Sequence, residues 1–299
     1  MGLRIGGEEM TRVAIDPERC RKDGLCVSVC RKVFSQESKD SIPVALHKGS
    51  CNSCGHCLLV CPSGAISLEG CRPEMIHPVR GELTPSYEQV YEMIVSRRSS
   101  RTFLERPVEK EVIEKVIDGA RFAPSAKNSE STQYTVIRDS GLLRAIAQTT
   151  AQWLGTVAHK LRNPVLRKLY LLTGAARDEE EVKRWIVQFE DIGRKMDEKV
   201  DLVLHGAPVL ILFHADGRVR FASENANLAL QNATFVACSL GLGTFYTGYV
   251  VSALSRDKEA QKLLSLPKRH KVYAGLAVGY PGLRFSRWIE RNPPKITWL

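Results

Sequence analysis

Cys51, Cys54, Cys57 and Cys61 follow a C-x2-C-x2-C-x3-C spacing and are closed by Pro62. Moving that pattern 31 residues toward the amino terminus lands on Cys20, Asp23, Cys26 and Cys30, so three of four positions repeat as cysteine. Gly24 answers Gly55, and the apolar segments VAID and VALH precede the two motifs, so the repeat reaches beyond the sulfur atoms. Soft thiolates suit iron in a sulfide cube, and three of them two residues apart can wrap one face of it in a tight loop. Zinc is the alternative for paired C-x2-C motifs. Seven cysteines at this spacing are too many for one tetrahedral site and too few for two. The expected chemistry is therefore one-electron transfer by iron–sulfur clusters.

These seven lie among nine cysteines in all, an odd number at regular spacing that does not suggest disulfides. Residues 11–72 resemble a bacterial-type ferredoxin with two clusters. In that arrangement the last cysteine of each motif ligates the other cluster. The resemblance implies one cluster on Cys20, Cys26 and Cys61 with Asp23 facing its fourth iron, and a second, [4Fe-4S], on Cys51, Cys54, Cys57 and Cys30. Carboxylate is a harder and weaker iron ligand than thiolate. The first cluster is accordingly [4Fe-4S] with Asp23 bound or [3Fe-4S] with Asp23 free, and the sequence leaves both open. Arg31 replaces the proline that follows the last cysteine, and His47 and His56 are read as neighbours of the clusters, not as ligands.

A second group of residues lies far along the chain. RRSSRTF (97–103) sets Arg97, Arg98, Ser99 and Arg101 at the end of an expected helix, where basic groups alone would merely complement the helix dipole. APSAKN (123–128), LGLGTFYTG (240–248), VGYPG (278–282) and Arg291 follow in order. Together they resemble the FMN-dependent nitroreductase family over residues 86–299. The resemblance implies that Arg97, Ser99 and Arg291 hold the FMN phosphate, since guanidinium forks suit phosphate, with Arg98 among the cofactor-binding residues. It implies that Arg101 reaches the pyrimidine edge of the flavin, where positive charge stabilises the reduced anion. Pro124, Ser125 and Asn128 belong to a loop that meets the flavin, often the partner subunit's. Thr247 and Gly248 bring backbone N–H close to the reactive flavin nitrogen. Glu130, Ser131 and Thr132 depart from the family's usual loop, and 140–204 carries no motif that names a substrate.

The elements that must position these residues divide the chain. RPEMIHPVRGELTPS (72–86) reads as a linker, giving a cluster domain at 1–75, a linker at 76–85 and a flavin domain at 86–299. Ser86-x-x-Gln89 offers a capping box ahead of the stripe Tyr87, Val90, Tyr91, Ile94 and Val95. Pro107 opens a helix with Val112, Ile113, Val116, Ile117 and Ala120 on one side, and a long amphipathic helix is expected over about 179–204. Strands are expected at Gln133–Ile137, Pro208–Phe213 and Lys271–Val278. The fold class is α+β: a small ferredoxin-like domain, then a three-layer α/β nitroreductase-type domain, which the resemblance makes a homodimer.

With 299 residues, 43% hydrophobic, the chain can bury real cores. No run is long enough for a membrane span, and MGLRIGGEEM lacks the apolar region of an export signal, so a cytoplasmic location is expected. The net charge of +10 includes no basic run of the kind that tracks phosphates, so nucleic acid is not an expected partner. Clusters carry single electrons, and FMN accepts them singly and delivers two. The expected function is an oxidoreductase passing electrons from a low-potential donor such as ferredoxin or flavodoxin, through the clusters and FMN, to a small nitro, quinone or similar acceptor. An alternative takes NAD(P)H as hydride donor with the clusters regulatory or carrying electrons out, and a non-enzyme alternative is a redox sensor. No catalytic proton donor is named: Cys71 reads as a spare thiol at the domain edge, Cys238 as a small buried apolar side chain, and His205 and His214 are assigned no catalytic part.

Overall fold

The computed structural model describes residues 13–174 and 176–299. The amino-terminal stretch read above for an export signal lies outside them. The chain forms two compact units, one of residues through Thr84 together with Ala126–Ser129, the other of Pro85–Ser125 and Glu130–Leu299.

The first unit holds two two-stranded antiparallel sheets and two short helices. β1 (Val13–Ile15) precedes α1 (Leu25–Val29), then come β2 (Phe34–Ser35), β3 (Val44–Ala45), α2 (His56–Val60) and β4 (Ile66–Leu68). β1 pairs antiparallel with β4, Ala14 opposite Ser67, and β2 pairs with β3. The sequence repeat is also a backbone repeat. Lys22 and Ser53 hold φ of 61° and 56°, and Gly24 and Gly55 hold 69° and 74°. Each glycine begins a five-residue helix in the left-handed region that glycine tolerates without Cβ strain. Val13, Val33, Phe34, Ile66 and Leu68 bury a core shared with Cys26 and Cys57. Such a core is small, and at this size metal ligation commonly supplies stability that apolar burial does not.

The segment expected as a linker contains two short 3-10 turns, Pro73–Met75 and Gly81–Leu83, with exposed side chains.

The second unit begins with α3 (Tyr87–Ser96). Its capping box is formed: Gln89 N–H donates to Ser86 Oγ at 3.3 Å, and Ser86 N–H donates to Gln89 Oε1 at 2.9 Å. Tyr87, Tyr91 and Ile94 of its stripe are exposed, so this chain alone does not cover them. Next come α4 (Lys110–Arg121), β5 (Gln133–Ile137), α5 (Ser140–Arg162), α6 (Pro164–Leu172), α7 (Glu179–Asp197) and β6 (Val209–Asp216). They are followed by α8 (Ala222–Ser239), β7 (Gly243–Tyr246), α9 (Gly248–Arg256), α10 (Lys258–Lys262) and β8 (His270–Gly279).

The four strands run antiparallel in the order β5-β6-β8-β7. Every residue of β6 is buried because both sheet faces are covered. Val209, Ile211 and Phe213 point into the core under α4 and α8, and Leu210 and Leu212 point into the core under α5, α7 and α9. This is the three-layer arrangement.

Three local expectations need correction. The strand Pro208–Phe213 continues to Asp216, and a bulge between Phe213 and His214 lets it follow β8. α4 begins at Lys110, with Glu109 at its N-cap, and not at Pro107. The helix expected over 179–204 stops at Asp197: Lys199 takes φ 64°, and the Asp201 carboxylate accepts N–H from Val203 (2.9 Å), Leu204 (2.8 Å) and Gly206 (3.1 Å), forming a turn that competes with the helix. β7 is a further strand beyond the three expected, and its four residues lie inside a glycine-rich motif that gives no alternating pattern.

Candidate functional site

In the first unit the tight loops aim the sulfur atoms inward. Lys22 N–H and Ser53 N–H each donate to the thiol two residues earlier, Cys20 and Cys51, at 3.4 Å. One residue apart from those bonds, the two motifs diverge. Asp23 Oδ1 accepts the N–H of Leu25 at 3.1 Å, whereas its counterpart Cys54 lies 2.9 Å from Nδ1 of His56, the counterpart of Leu25.

Cys30, Cys51, Cys54 and Cys57 line one cavity of about 470 Å³. The last cysteine of the first motif therefore sits with the first three of the second. On the other side, Asp23 and Cys20 are electrostatic neighbours of Cys26, and Asp23 is a neighbour of Cys61. Burial, with the neighbouring thiols adding to it, pushes the free Cys57 thiol up to about 11, and burial also raises Cys26. Burial acts on Cys61 too, but hydrogen bonds from Ser63 and from Ala65 N–H at 3.3 Å outweigh it and hold that thiol low. Cationic iron favours thiolates against this desolvation. Among the described residues no three His, Cys, Asp or Glu side chains converge as a single ion would require, whereas four thiols around a cavity wall fit a cube.

In the second unit, Arg101, Thr247 and Gly248 line a cavity of about 740 Å³. Thr247 is buried, and its Oγ1 has no hydrogen-bond partner, an arrangement that costs roughly 1–3 kcal/mol unless a ligand satisfies it. Gly275 lies directly beneath: a Cβ there would overlap Thr247 Oγ1, so the glycine makes room for the threonine. The residues present thus fit a ligand with polar ring edges. Sequence reasoning missed Gln188 and Asp191 of α7, His205, Tyr246 and Tyr249, which line the same cavity. Only the apolar spacing of α7 hinted at its face, and that spacing names the buried side, not the polar residues at its edge. Burial, reinforced by the charge of Arg101 and opposed by that of Asp201, lowers the His205 imidazole, which packs edge-on against Phe245 with ring centres 5.3 Å apart.

The other expected residues are distributed. Ser99 bridges to Thr244, and Ser100 N–H donates to Thr244 O at 3.0 Å, laying the RRSSR segment along β7. Arg98 turns back on its own helix end, its Nη1 donating to Val95 O (2.7 Å) and Arg97 O (2.8 Å). Arg97, the C-cap of α3, is half-buried, and Arg291 lies in an exposed terminal segment. Pro124 and Ser125 line a separate cavity of about 100 Å³. Asn128 groups with the first unit, its Nδ2 donating to Ser53 O at 3.3 Å.

Residues 12–62 match the 4Fe-4S dicluster domain, and residues 94–280 match the Nitroreductase family. A putative NADH dehydrogenase/NAD(P)H nitroreductase of Archaeoglobus fulgidus is 25% identical over 194 residues, which is 65% of this chain and 86% of that protein. Rat iodotyrosine deiodinase 1 is 25% identical over 213 residues, 67% of this chain but 65% of the deiodinase. FMN reductase [NAD(P)H] of Bacillus subtilis is 26% identical over 201 residues, 67% of this chain and 68% of that one. Among solved structures, an FMN-bound nitroreductase from Bacteroides fragilis superposes with a TM-score of 0.51 at 18% identity, over 70% of this chain and 99% of that chain, and shares the fold. With the cysteine repeat ahead of it and a sheet of matching architecture, the chain belongs to the nitroreductase family and carries a 4Fe-4S dicluster domain at its amino-terminal end.

Proposed function

We propose that this chain is an FMN- and iron–sulfur-dependent oxidoreductase that works as a homodimer. The observation that carries the reading is the meeting of Cys30 with Cys51, Cys54 and Cys57 around one cavity, the crosswise set of a two-cluster carrier. When bound, the clusters and FMN supply the conversion between single electrons from a low-potential donor and a two-electron reduction of a small nitro, quinone or similar acceptor.

The protein's own residues supply the rest. Cys20, Cys26 and Cys61, with Asp23, hold the first cluster, and Cys30, Cys51, Cys54 and Cys57 hold the second. Arg101 places positive charge where the reduced flavin ring carries negative charge. Gly248 offers its backbone N–H to the ring, whereas the Thr247 N–H, expected to do the same, is already donated to Gly275 O at 2.8 Å, which leaves Thr247 its unpaired hydroxyl. Arg97, Ser99 and Arg291 serve the phosphate, Arg291 by way of a terminal segment whose exposed Phe285, Ile289 and Trp298 await cover from a second subunit. The exposed stripe of α3 supports the same assembly. With clusters and FMN bound the net charge is roughly +5, which favours acidic ferredoxins or flavodoxins as donors. A reducing cytoplasm suits such clusters, and among the described residues no helix is long and apolar enough to cross a membrane.

Relatives named for NAD(P)H favour a second donor, NAD(P)H itself. Anaerobic stopped-flow at the flavin absorbance separates the two. Reduced ferredoxin should reduce FMN about tenfold faster in the native protein than in a Cys54→Ser variant. Equal rates in the two, with NADH the faster donor in both, would replace the first reading by the second.

A further inference from the structure

We propose that the second unit carries an additional binding site, for an organic carboxylate with an apolar body, in a cavity of about 800 Å³ between the start of α5, the end of α7 and the 201–208 turn. The floor is apolar: Val108, Leu143, Ala147 and Leu204 line it and are buried. The rim is cationic, formed by Arg138, Arg144 and Lys199.

The nearby carboxylates are already engaged. Asp201, the acid that lines the cavity, accepts three backbone N–H groups of its own turn. Asp139, at the N-cap of α5, accepts Leu142 N–H at 2.7 Å, and Glu198 holds Arg194 and Lys195 at 2.7 Å each. Among the described residues no ion pair engages Arg138, Arg144 or Lys199; Arg138 donates instead to Val108 O at 3.0 Å. Asp201 keeps its negative charge but spends its oxygens on its own turn, so three cations against one carboxylate leave the rim net positive, and an anion seated there is attracted. A hydrated inorganic anion gains nothing from the floor, whereas a carboxylate on a chain or ring satisfies rim and floor together.

This cavity is separate from the one at Arg101. The 201–208 turn stands between them: Leu202, Val203 and His205 face the Arg101 cavity, and Asp201, Leu204 and Gly206 face this one.

The test is titration calorimetry on the cluster- and flavin-loaded protein with decanoate and 1-naphthoate, each against its neutral alcohol. One site per chain is expected, with the alcohols about tenfold weaker; the tighter of the two acids identifies an aliphatic or an aromatic ligand. Arg144→Glu with Lys199→Glu should weaken the acid at least about tenfold while the flavin absorbance persists, and Ala147→Trp should fill the floor and abolish binding. The proposal fails if neither acid binds saturably, if the alcohols bind as well as the acids, or if both variants bind like the native protein. The acid-to-alcohol comparison needs no variant and decides the matter even where a substitution unfolds the chain.

Discussion

Cys30 and Cys57 face the same cavity although they belong to different halves of the cysteine repeat. The short helix α1 ends at Val29, and Cys30, its C-cap, lines the cavity of the second motif. A Cys30→Ser substitution should therefore cost the cluster of the second motif and spare that of the first. Anaerobic iron and sulfide quantitation should fall by roughly half. If the paramagnetic signal lost is that of the Asp23 cluster, the crosswise assignment is wrong.

Asp23 occupies the position of Cys54, yet its carboxylate is already engaged by Leu25 N–H. Replacing it by cysteine supplies a soft ligand and gives up that bond, which costs about 1 kcal/mol in comparable helix-start positions. Asp23→Cys should hold its fourth iron through exposure to oxygen or chelator, while the native protein loses iron from this cluster first. Iron release followed optically decides the point, and equal loss from both proteins would count against Asp23 as the weak position.

The buried Thr247 hydroxyl has no partner. Thr247→Val keeps the shape and deletes the orphaned group, so the flavin-free protein should be unchanged or more stable by about 1 kcal/mol, and FMN affinity should fall about tenfold. Gly275→Ala should act differently, displacing the threonine and destabilising the protein by about 1–3 kcal/mol whether or not flavin is bound. Flavin fluorescence titration and thermal melts distinguish the two. A Thr247→Val protein that binds FMN as tightly as the native one would remove the hydroxyl from the site.

His214 lies buried with its Nε2 2.9 Å from Thr135 Oγ1 and its Nδ1 2.9 Å from Nδ1 of His270. Burial, and then the neighbouring charge of His270, push its imidazole down to about 4. The unfolded chain, with an ordinary value of about 6.5, takes up the proton first as the pH falls. The stability that His214 confers is thus complete above about pH 6.5 and declines toward pH 4, by on the order of 2 kcal/mol at pH 5. His214→Gln, which can still bond Thr135, should flatten the slope of melting temperature against pH between 7 and 5. Parallel slopes for the two proteins would exclude His214 as the cause.

Much of the chemistry was legible in the linear chain because it depends on short-range geometry. Two-residue spacing alone dictates that Cys51, Cys54 and Cys57 share one tight loop, and the left-handed Gly24 and Gly55 repeat because both loops solve the same steric problem. The apolar run Val209–Phe213 likewise announced a core strand, and the packed layers then covered both its faces. What the local pattern could not carry is convergence. The pairing of Cys30 with the second motif, which spacing alone did not give and only the ferredoxin resemblance implied, the polar edge of α7 beside Arg101, and the separate hollow behind the 201–208 turn all depend on which remote elements pack together. The end of α7 shows the same division: its apolar spacing runs on past Asp197, but Asp201 gathers three backbone N–H groups into a turn, and local hydrogen bonding ends the helix. Residue spacing determined which atoms could ligate and which segments could fold. The packing of the layers decided which of those atoms meet, because side chains distant in sequence are brought within reach only when the cores between them close.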